Sequence, residues 1–447
     1  MSDHETATQR RIRSLAQKLY PRPSAAPDAH PALLKLGKAA MCTRVASSKS
    51  EKWGVYGDMD EVLTTIEIHD IPPEMVLRTQ ASYRGNNSHT NGFGAYAGAK
   101  PLGRNKKKAK ELTTIAAPGH EEPRSEIVHF SEIDAGSVII LVHASALNYP
   151  DLSMCSHVYQ TRPPTPFCIG FEGAGEVISV GAEASYDGGE GLFPPPKVGD
   201  RVFFNNPINC HSSRIAVSGL CCTPMPDGLD YDAAAGYIQG VSSSYEALVT
   251  RLQVKKDEWV VITGSTGVIG LAGVQICKKL GAKVIALGSD LKNTGRLEAV
   301  RKLGADHVID YVKNPSWSSE VKELTGGKGA DCCYDVVGAD MFMQCVRASA
   351  RGGRICVAGF TGGAFPKLPM NLVLVKGLSV TAHTTLWPPN PEASLNKRRV
   401  LLDWATDPEM QPNISHRFPI SEMREALRVM AYREMVGRIV VHPQEFD

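Results

Sequence analysis

The run Gly264-Ser265-Thr266-Gly267-Val268-Ile269-Gly270 directly follows the apolar stretch Trp259 to Ile262 and precedes a segment of helical texture. A dinucleotide pyrophosphate needs that order of strand, glycine loop and helix. Glycines let the backbone turn tightly and approach the phosphates, and the helix N-terminus offers free N–H groups and partial positive charge. A tight turn in a cofactor-free α/β protein would use the same glycines, but a strand before the loop and a βαβ unit after it favour the cofactor. The end of the second strand then separates the dinucleotides, because an Asp or Glu there would bind the adenosine ribose diol of NAD. Counting 19 residues beyond Gly270 reaches Ser289, directly after Gly288. Small neutral residues leave room for a 2′-phosphate. Lys292 and Arg296 follow on the next turn, either to neutralise that phosphate or simply to open a solvated helix. Asp290 argues the other way. The expectation is NADPH, with NADH less favoured.

These residues lie where strand and helix alternate. Ala233 to Leu248, Gly270 to Leu280 and Leu297 to Leu303 read as helices. Trp259 to Ile262, Lys283 to Leu287, His307 to Ile309, Cys332 to Val336 and Arg354 to Val357 read as strands. That alternation predicts an α/β class, a doubly wound Rossmann parallel sheet with helices on both faces, over 231–384. Upstream, Val138 to Val142, Glu176 to Val180, Arg201 to Phe204 and Arg214 to Val217 are short strands separated by Gly and Pro clusters. They predict a β-rich domain over 41–230, opened by strands at Trp53 to Tyr56 and Val62 to Ile68. After about residue 384 a helix, Ser421 to Ala431, and a last strand, Gly437 to Val441, return to it, so 385–447 are assigned to the same domain. Residues 1–40 read as a loosely ordered tail. A Gly/Asn/Lys-rich insertion of about 80–123, which includes Lys106-Lys107-Lys108, is too polar to bury a core.

The 447 residues carry a formal net charge of +2, with 43% hydrophobic and 21% charged residues. This ordinary globular composition fits two to three domains and gives no global electrostatic case for a nucleic-acid or membrane partner. No run approaches the roughly 18 apolar residues that span a bilayer. Eleven cysteines without a CxxC read as reduced intracellular thiols. The acids Asp3 and Glu5 among Arg10, Arg11 and Arg13 favour the cytoplasm, with mitochondrial import as the alternative.

Several motifs occur in order. Ala146 to Gly175 reads ALNYPDLSMCSHVYQTRPPTPFCIGFEGAG, followed by the loop at 264–270, Leu303-Gly304-Ala305-Asp306 and Gly437-Arg438-Ile439-Val440-Val441. Together they resemble the medium-chain dehydrogenase/reductase superfamily. The texture is closest to its zinc-independent quinone oxidoreductase-like branch, which includes zeta-crystallin and the 15-keto prostaglandin reductases. The resemblance implies a GroES-like catalytic domain beside the Rossmann domain, a cleft between them, and a homodimer paired through an edge strand of the Rossmann sheet. The zinc enzymes of the superfamily place a ligand His in Gly-His-Glu, where this chain has Gly170-Phe171-Glu172. Their ligand Cys is likewise missing from Ala146-Leu147-Asn148-Tyr149-Pro150. A catalytic zinc needs three protein ligands, so no metal is expected. Cys210-His211 with Cys221-Cys222 has no common zinc spacing.

Without a Lewis acid, an already polarised acceptor such as a quinone or α,β-unsaturated carbonyl is the fitting small-molecule substrate. The resemblance implies hydride transfer to it, with charge building on the carbonyl oxygen. It also implies a pair spaced like Asn148 and Tyr159, with the Tyr facing the substrate as oxyanion donor or proton source; a tyrosine that only shapes the pocket rim is the plainer alternative. Asn148 is expected near the nicotinamide ribose or the substrate carbonyl, and Tyr149 is a second candidate donor or an aromatic wall. Further cofactor-lining positions carried over from the family are Ser243, Tyr311, Ala358, Phe360, His383 and Thr384. The family's Asn before the last strand is absent, since the chain reads Glu434-Met435-Val436. A second reading from another class is a non-catalytic NADPH-binding protein with an RNA- or protein-interaction role, using the Lys-rich insertion.

Overall fold

The computed structural model describes residues 37–44, 46, 59–72, 75–80, 123–156, 158–159, 161–290, 293–383 and 391–444. All but the last four residues of the predicted tail, the Trp53–Tyr56 strand and the Lys106–Lys108 cluster lie outside them.

The first half is built on strands β1 (Gly37–Cys42), β2 (Ile66–Ile71), β3 (Met75–Gln80), β4 (Arg124–His129), β5 (Ser137–Ala146), β6 (Phe167–Cys168), β7 (Glu172–Val180), β8 (Arg201–Asn205), β9 (Arg214–Ser218) and β10 (Cys222–Pro224). β1 therefore begins inside the segment expected to be a tail. The stretch Val62 to Ile68, expected as one strand, divides into helix α1 (Met59–Thr64) and β2. Its acidic first turn, Asp60 and Glu61, suits a helix N-terminus. The long strand β5 organises the main sheet, pairing with β7 on one side and β9 on the other. A short helix, α2 (Tyr149–Cys155), leaves its end, with Pro150 in the first turn where a missing N–H costs nothing.

Helix α3 (Tyr231–Tyr245) joins the halves. Asp230 caps it, its carboxylate accepting from the Ala233 N–H at 2.7 Å. The helix packs on β5, β7 and β8 and also on the helix that follows the glycine loop. It runs on into a π-helical turn, Glu246–Arg251.

The second half is a six-stranded parallel sheet. Its strands are β11 (Trp259–Ile262), β12 (Lys283–Gly288), β13 (His307–Asp310), β14 (Ala330–Asp335), β15 (Ser349–Val357) and β16 (Ser379–Ala382). The spatial order β13-β12-β11-β14-β15-β16 is the doubly wound 3-2-1-4-5-6 arrangement. Helices α4 (Val268–Lys279), α5 (Arg296–Lys302), α6 (Trp317–Leu324), α7 (Ala339–Ala348) and α8 (Met370–Lys376) connect the strands. Buried Val260, Ile262, Val284 and Ala286 face one core with α3 and α4, while Val261, Ile285, Leu287 and Ile355 face another with α6 and α7. Each fully buried aliphatic side chain of this kind contributes about 1.5–3 kcal/mol.

The chain then returns. Helix α9 (Pro391–Ala405) packs on α3. Strand β17 (Ile414–Pro419), helix α10 (Met423–Ala431) and strand β18 (Arg438–His442) form a parallel crossover unit, and β18 pairs with β5 of the first half. Among the described residues no helix is long and apolar enough to cross a membrane.

Candidate active site

The glycine loop lies at the C-terminal end of β11, where ligands of open α/β sheets bind. Gly264 has φ +61°, a left-handed conformation that favours glycine. At Gly270 a Cβ atom would stand 2.3 Å from the Gly264 carbonyl oxygen, so only glycine lets α4 pack this closely on the loop. No side chain caps α4 at Gly267, leaving its N-terminus open to an anion. Thr266 is buried beside the loop, and Val268 and Ile269 begin the helix. The Ser265 hydroxyl and the Ser243 hydroxyl of α3 are buried without a hydrogen-bond partner. Buried hydroxyls are rarely left so unless something else satisfies them.

Ser289 is buried at the end of β12, with the Tyr311 hydroxyl 3.3 Å from its Oγ. Asp290 does not face this space. Its carboxylate accepts from the Thr294 N–H at 2.8 Å, the Thr294 hydroxyl at 3.1 Å and the Gly295 N–H at 3.0 Å. Desolvation pushes its pKa up, but these donors outweigh it and hold the carboxyl below its usual range. Arg296 opens α5 with its Nε buried and unpartnered. Burial, then the nearby charge of Arg433, depresses its pKa, while Tyr311 and Asp290 act in the opposite sense. Arg433, in the loop before β18, was not anticipated; no local pattern marks it, and only the fold carries it to Arg296. Lys292 and Thr384 lie outside the described residues.

Ala358 donates its N–H to the Asp335 carbonyl at 2.8 Å at the end of β15. The Phe360 ring packs edge-on against Phe365, centroids 4.9 Å apart. His383 follows β16, its N–H donating to the Val357 carbonyl at 3.0 Å. Both of its ring nitrogens are buried without a partner. Burial, with Lys397 and Arg251 nearby, lowers its pKa to about 4, so the ring is neutral near pH 7.

In the first half of the molecule, Asn148 sits buried at the start of α2. Its Nδ2 donates to Glu172 Oε1 at 2.8 Å and to the Ala146 carbonyl at 3.0 Å, and its Oδ1 accepts from Arg438 at 3.0 Å. Both ends of the amide are thereby engaged within the protein. The reason is the fully buried Glu172–Arg438 ion pair, whose carboxylate also accepts the Gln239 N–H at 2.8 Å. Burial pushes Glu172 upward in pKa, and Arg438, Asn148 and Gln239 pull against it. The Asp151 carboxylate accepts from Asn148 N–H at 2.7 Å and Gly170 N–H at 2.9 Å. This fixes the turn from β5 into α2 against Phe171.

Phe171 is half-buried, and Tyr159 lies edge-to-face with it, centroids 6.2 Å apart. Tyr149 is half-buried in the first turn of α2. His211 meets Ser145 Oγ at 2.7 Å and lies 3.5 Å from Asp151, all three buried. Among the described residues no three His, Cys, Asp or Glu side chains come together as a metal ion would need.

Two family models match the chain in tandem. The alcohol dehydrogenase GroES-like domain covers residues 134–258, and the zinc-binding dehydrogenase domain covers residues 268–391. The quinone oxidoreductase-like protein 2 homolog of Nematostella vectensis is 28% identical over 394 residues, 84% of this chain and 98% of that protein. The crystal structure of a probable oxidoreductase from Mycobacterium abscessus is 30% identical with a TM-score of 0.60, covering 72% of this chain and 94% of that one. Escherichia coli quinone oxidoreductase complexed with NADPH shares the fold at a TM-score of 0.62 and 23% identity, over 71% of this chain and 96% of that one. The chain belongs to the medium-chain dehydrogenase/reductase superfamily, in its quinone oxidoreductase-like branch. A GroES-like catalytic part stands beside a Rossmann sheet, as in its structural neighbours.

Proposed function

We propose that the chain is an NADPH-dependent, zinc-independent reductase of quinones or α,β-unsaturated carbonyls. The observation that carries the cofactor choice is the buried, unpartnered Nε of Arg296, on which the charge of Arg433 acts, with the Asp290 carboxylate taken up by its own loop. Two neighbouring guanidinium groups repel unless an anion lies between them, and a ribose 2′-phosphate is such an anion. The residues present fit a dinucleotide: Gly264, Gly267 and Gly270 with the uncapped start of α4 for the pyrophosphate, the unsatisfied hydroxyls of Ser243 and Ser265 beside them, and Ser289, Tyr311, Arg296 and Arg433 for the adenosine end. The same fold carries NADPH in the E. coli enzyme, which supports the choice.

Bound NADPH supplies a hydride. The chain supplies the rest. Phe171 stands where the zinc relatives hold a ligand histidine, and with Tyr159 it makes an aromatic wall against which a flat conjugated acceptor packs. Tyr159 donates a hydrogen bond to the carbonyl oxygen as it gains charge, with Tyr149 as a second donor; such a donor contributes about 2.7–4 kcal/mol in comparable sites. Asn148 acts as a positioning residue, locking α2 and both tyrosines onto the Glu172–Arg438 pair. Two copies pair through the open edge of β16 and the adjacent helix α8.

The test is NADPH oxidation with 9,10-phenanthrenequinone, an enoyl thioester and a 15-keto prostaglandin. Turnover of at least one is expected, with Tyr159→Phe lowering kcat by about a hundredfold at unchanged NADPH affinity. Tight NADPH binding with none of the three turned over would remove the catalytic reading.

A further inference from the structure

The strand order of the parallel sheet reverses between β11 and β14, so the crevice outside their C-terminal ends is the switch point where ligands of such sheets bind. Two side chains tie these strand ends together. Thr263, the residue before the glycine loop, donates its hydroxyl to Oδ1 of Asp335, the last residue of β14, at 2.7 Å. The same hydroxyl accepts the Val336 N–H at 3.0 Å. Oδ1 also accepts the N–H groups of Val337 at 3.1 Å and Gly338 at 3.0 Å. The turn 336–338 is thereby bound to the residue that opens the loop. On its other side it meets the segment that follows β15. Ala358 N–H donates to the Asp335 carbonyl at 2.8 Å, the Thr361 hydroxyl to the Val336 carbonyl at 3.3 Å, and Gly362 N–H to the Val337 carbonyl at 2.9 Å. There is little slack, since a Cβ on Gly359 would stand 2.8 Å from the Val336 carbonyl oxygen. Thr263 and Asp335 are fully buried, and among the described residues Asp335 Oδ2 has no hydrogen-bond partner. Burial pushes the Asp335 carboxyl up in pKa, and Thr263, Gly338 and Val337 pull against it. A carboxyl kept dry with one oxygen unpaired costs stability, so stability does not account for its presence.

We propose that Asp335, acting through Thr263, is a positioning residue for the nicotinamide half of the cofactor. The inference rests on the reading of the chain as NADPH-dependent and deepens it. On that reading the glycine loop holds the pyrophosphate on one bank of the crevice, and Ala358 and Phe360 line the nicotinamide on the other. An unbroken hydrogen-bonded path joins the two banks, from Thr263 through Asp335 and the turn 336–338 to Ala358, Thr361 and Gly362. This latch sets the distance between the banks, and with it the place of the nicotinamide ring relative to the acceptor. The adenosine end lies elsewhere. Ser289 and Arg296 follow β12, which pairs with β11 on the side away from β14. Loss of the latch therefore loosens one half of the dinucleotide and spares the other.

The probes are NADPH and 2′,5′-ADP, which carries the adenosine end and its 2′-phosphate without a nicotinamide. Both are titrated calorimetrically, with no turnover required. Thr263→Val keeps the side-chain shape and removes the hydroxyl. It is expected to weaken NADPH by about tenfold or more, the effect of losing one hydrogen bond to a carboxylate, and to change 2′,5′-ADP by less than about twofold. Thr263→Ser keeps the hydroxyl and should bind NADPH as the unaltered protein does. Asp335→Asn keeps an acceptor for the same donors without the charge, and should show the same selective loss at smaller size. Where an acceptor is reduced, kcat at saturating NADPH should fall in Thr263→Val and not in Thr263→Ser, because the ring is held less well for hydride transfer. Parallel weakening of NADPH and 2′,5′-ADP, or weakening of neither, would overturn the inference. So would a loss in Thr263→Ser as large as that in Thr263→Val. Selective loss with no acceptor reduced leaves the latch standing while the reductase reading falls. An unaltered protein that binds neither probe removes the NADPH reading and the latch with it.

Discussion

At the level of single side chains, the proposed choice of NADPH over NADH turns on Arg296. Its Nε is buried without a partner, and the charge of Arg433 acts on it. Replacing Arg296 with alanine should weaken NADPH by about tenfold or more and NADH by little, as loss of a charge-assisted phosphate contact does; fluorescence titration of both dinucleotides measures the ratio. Equal loss would end the 2′-phosphate assignment. The places of Ser289 and Arg296 after the second strand could be counted from Gly270 because both lie within one βαβ unit. The direction of Asp290 was not, since it depends on the turn at Thr294 and Gly295. The partners of Asn148 were hidden for a related reason. Its spacing to Tyr159 is visible in the chain, but the Arg438 that consumes its carbonyl comes from the far end of the sequence.

Among elements, the glycine loop is the most constrained. Gly270→Ala would drive a methyl against the Gly264 carbonyl, where the neighbour is backbone and cannot swing away. Overpacking of this kind costs about 1–3 kcal/mol. A lowered melting temperature together with weakened dinucleotide binding is therefore expected, and a variant that keeps both would show that the loop yields. The strands of the parallel sheet from β11 to β15 were readable because buried parallel strands are near-continuous apolar runs. By contrast β16 has only four residues, two of them exposed, and carries no such run. The six-residue helix α1 is also too short for its period to separate from that of a strand.

At the scale of the molecule, β16 ends the parallel sheet with an open edge, and α8 beside it leaves Leu374 82%, Met370 64% and Val375 63% exposed. An apolar edge of this kind is an aggregation risk unless another chain covers it. Leu374→Lys should convert a dimer into a monomer, read by light scattering behind size exclusion, with the dinucleotide site intact. A wild-type protein that is already monomeric would refute the pairing. The architecture as a whole was visible in the alternation of textures, whereas the return of β17, α10 and β18 onto β5 was visible only in part. Pairing of β18 with a strand so distant in sequence leaves no local trace.

That late pairing sets an order on biosynthesis. The parallel sheet is contiguous from Trp259 to Ala382 and can close while the ribosome is still working. The first half cannot, for Glu172 waits for Arg438, a partner translated 266 residues later. Until then a carboxylate destined for a dry interior stays wet, and β5 keeps one end bare for a strand not yet made. β18, translated after the parallel sheet, therefore finishes the first part of the molecule, and a nascent chain stalled short of β18 would hold a complete nucleotide fold beside an unfinished catalytic one.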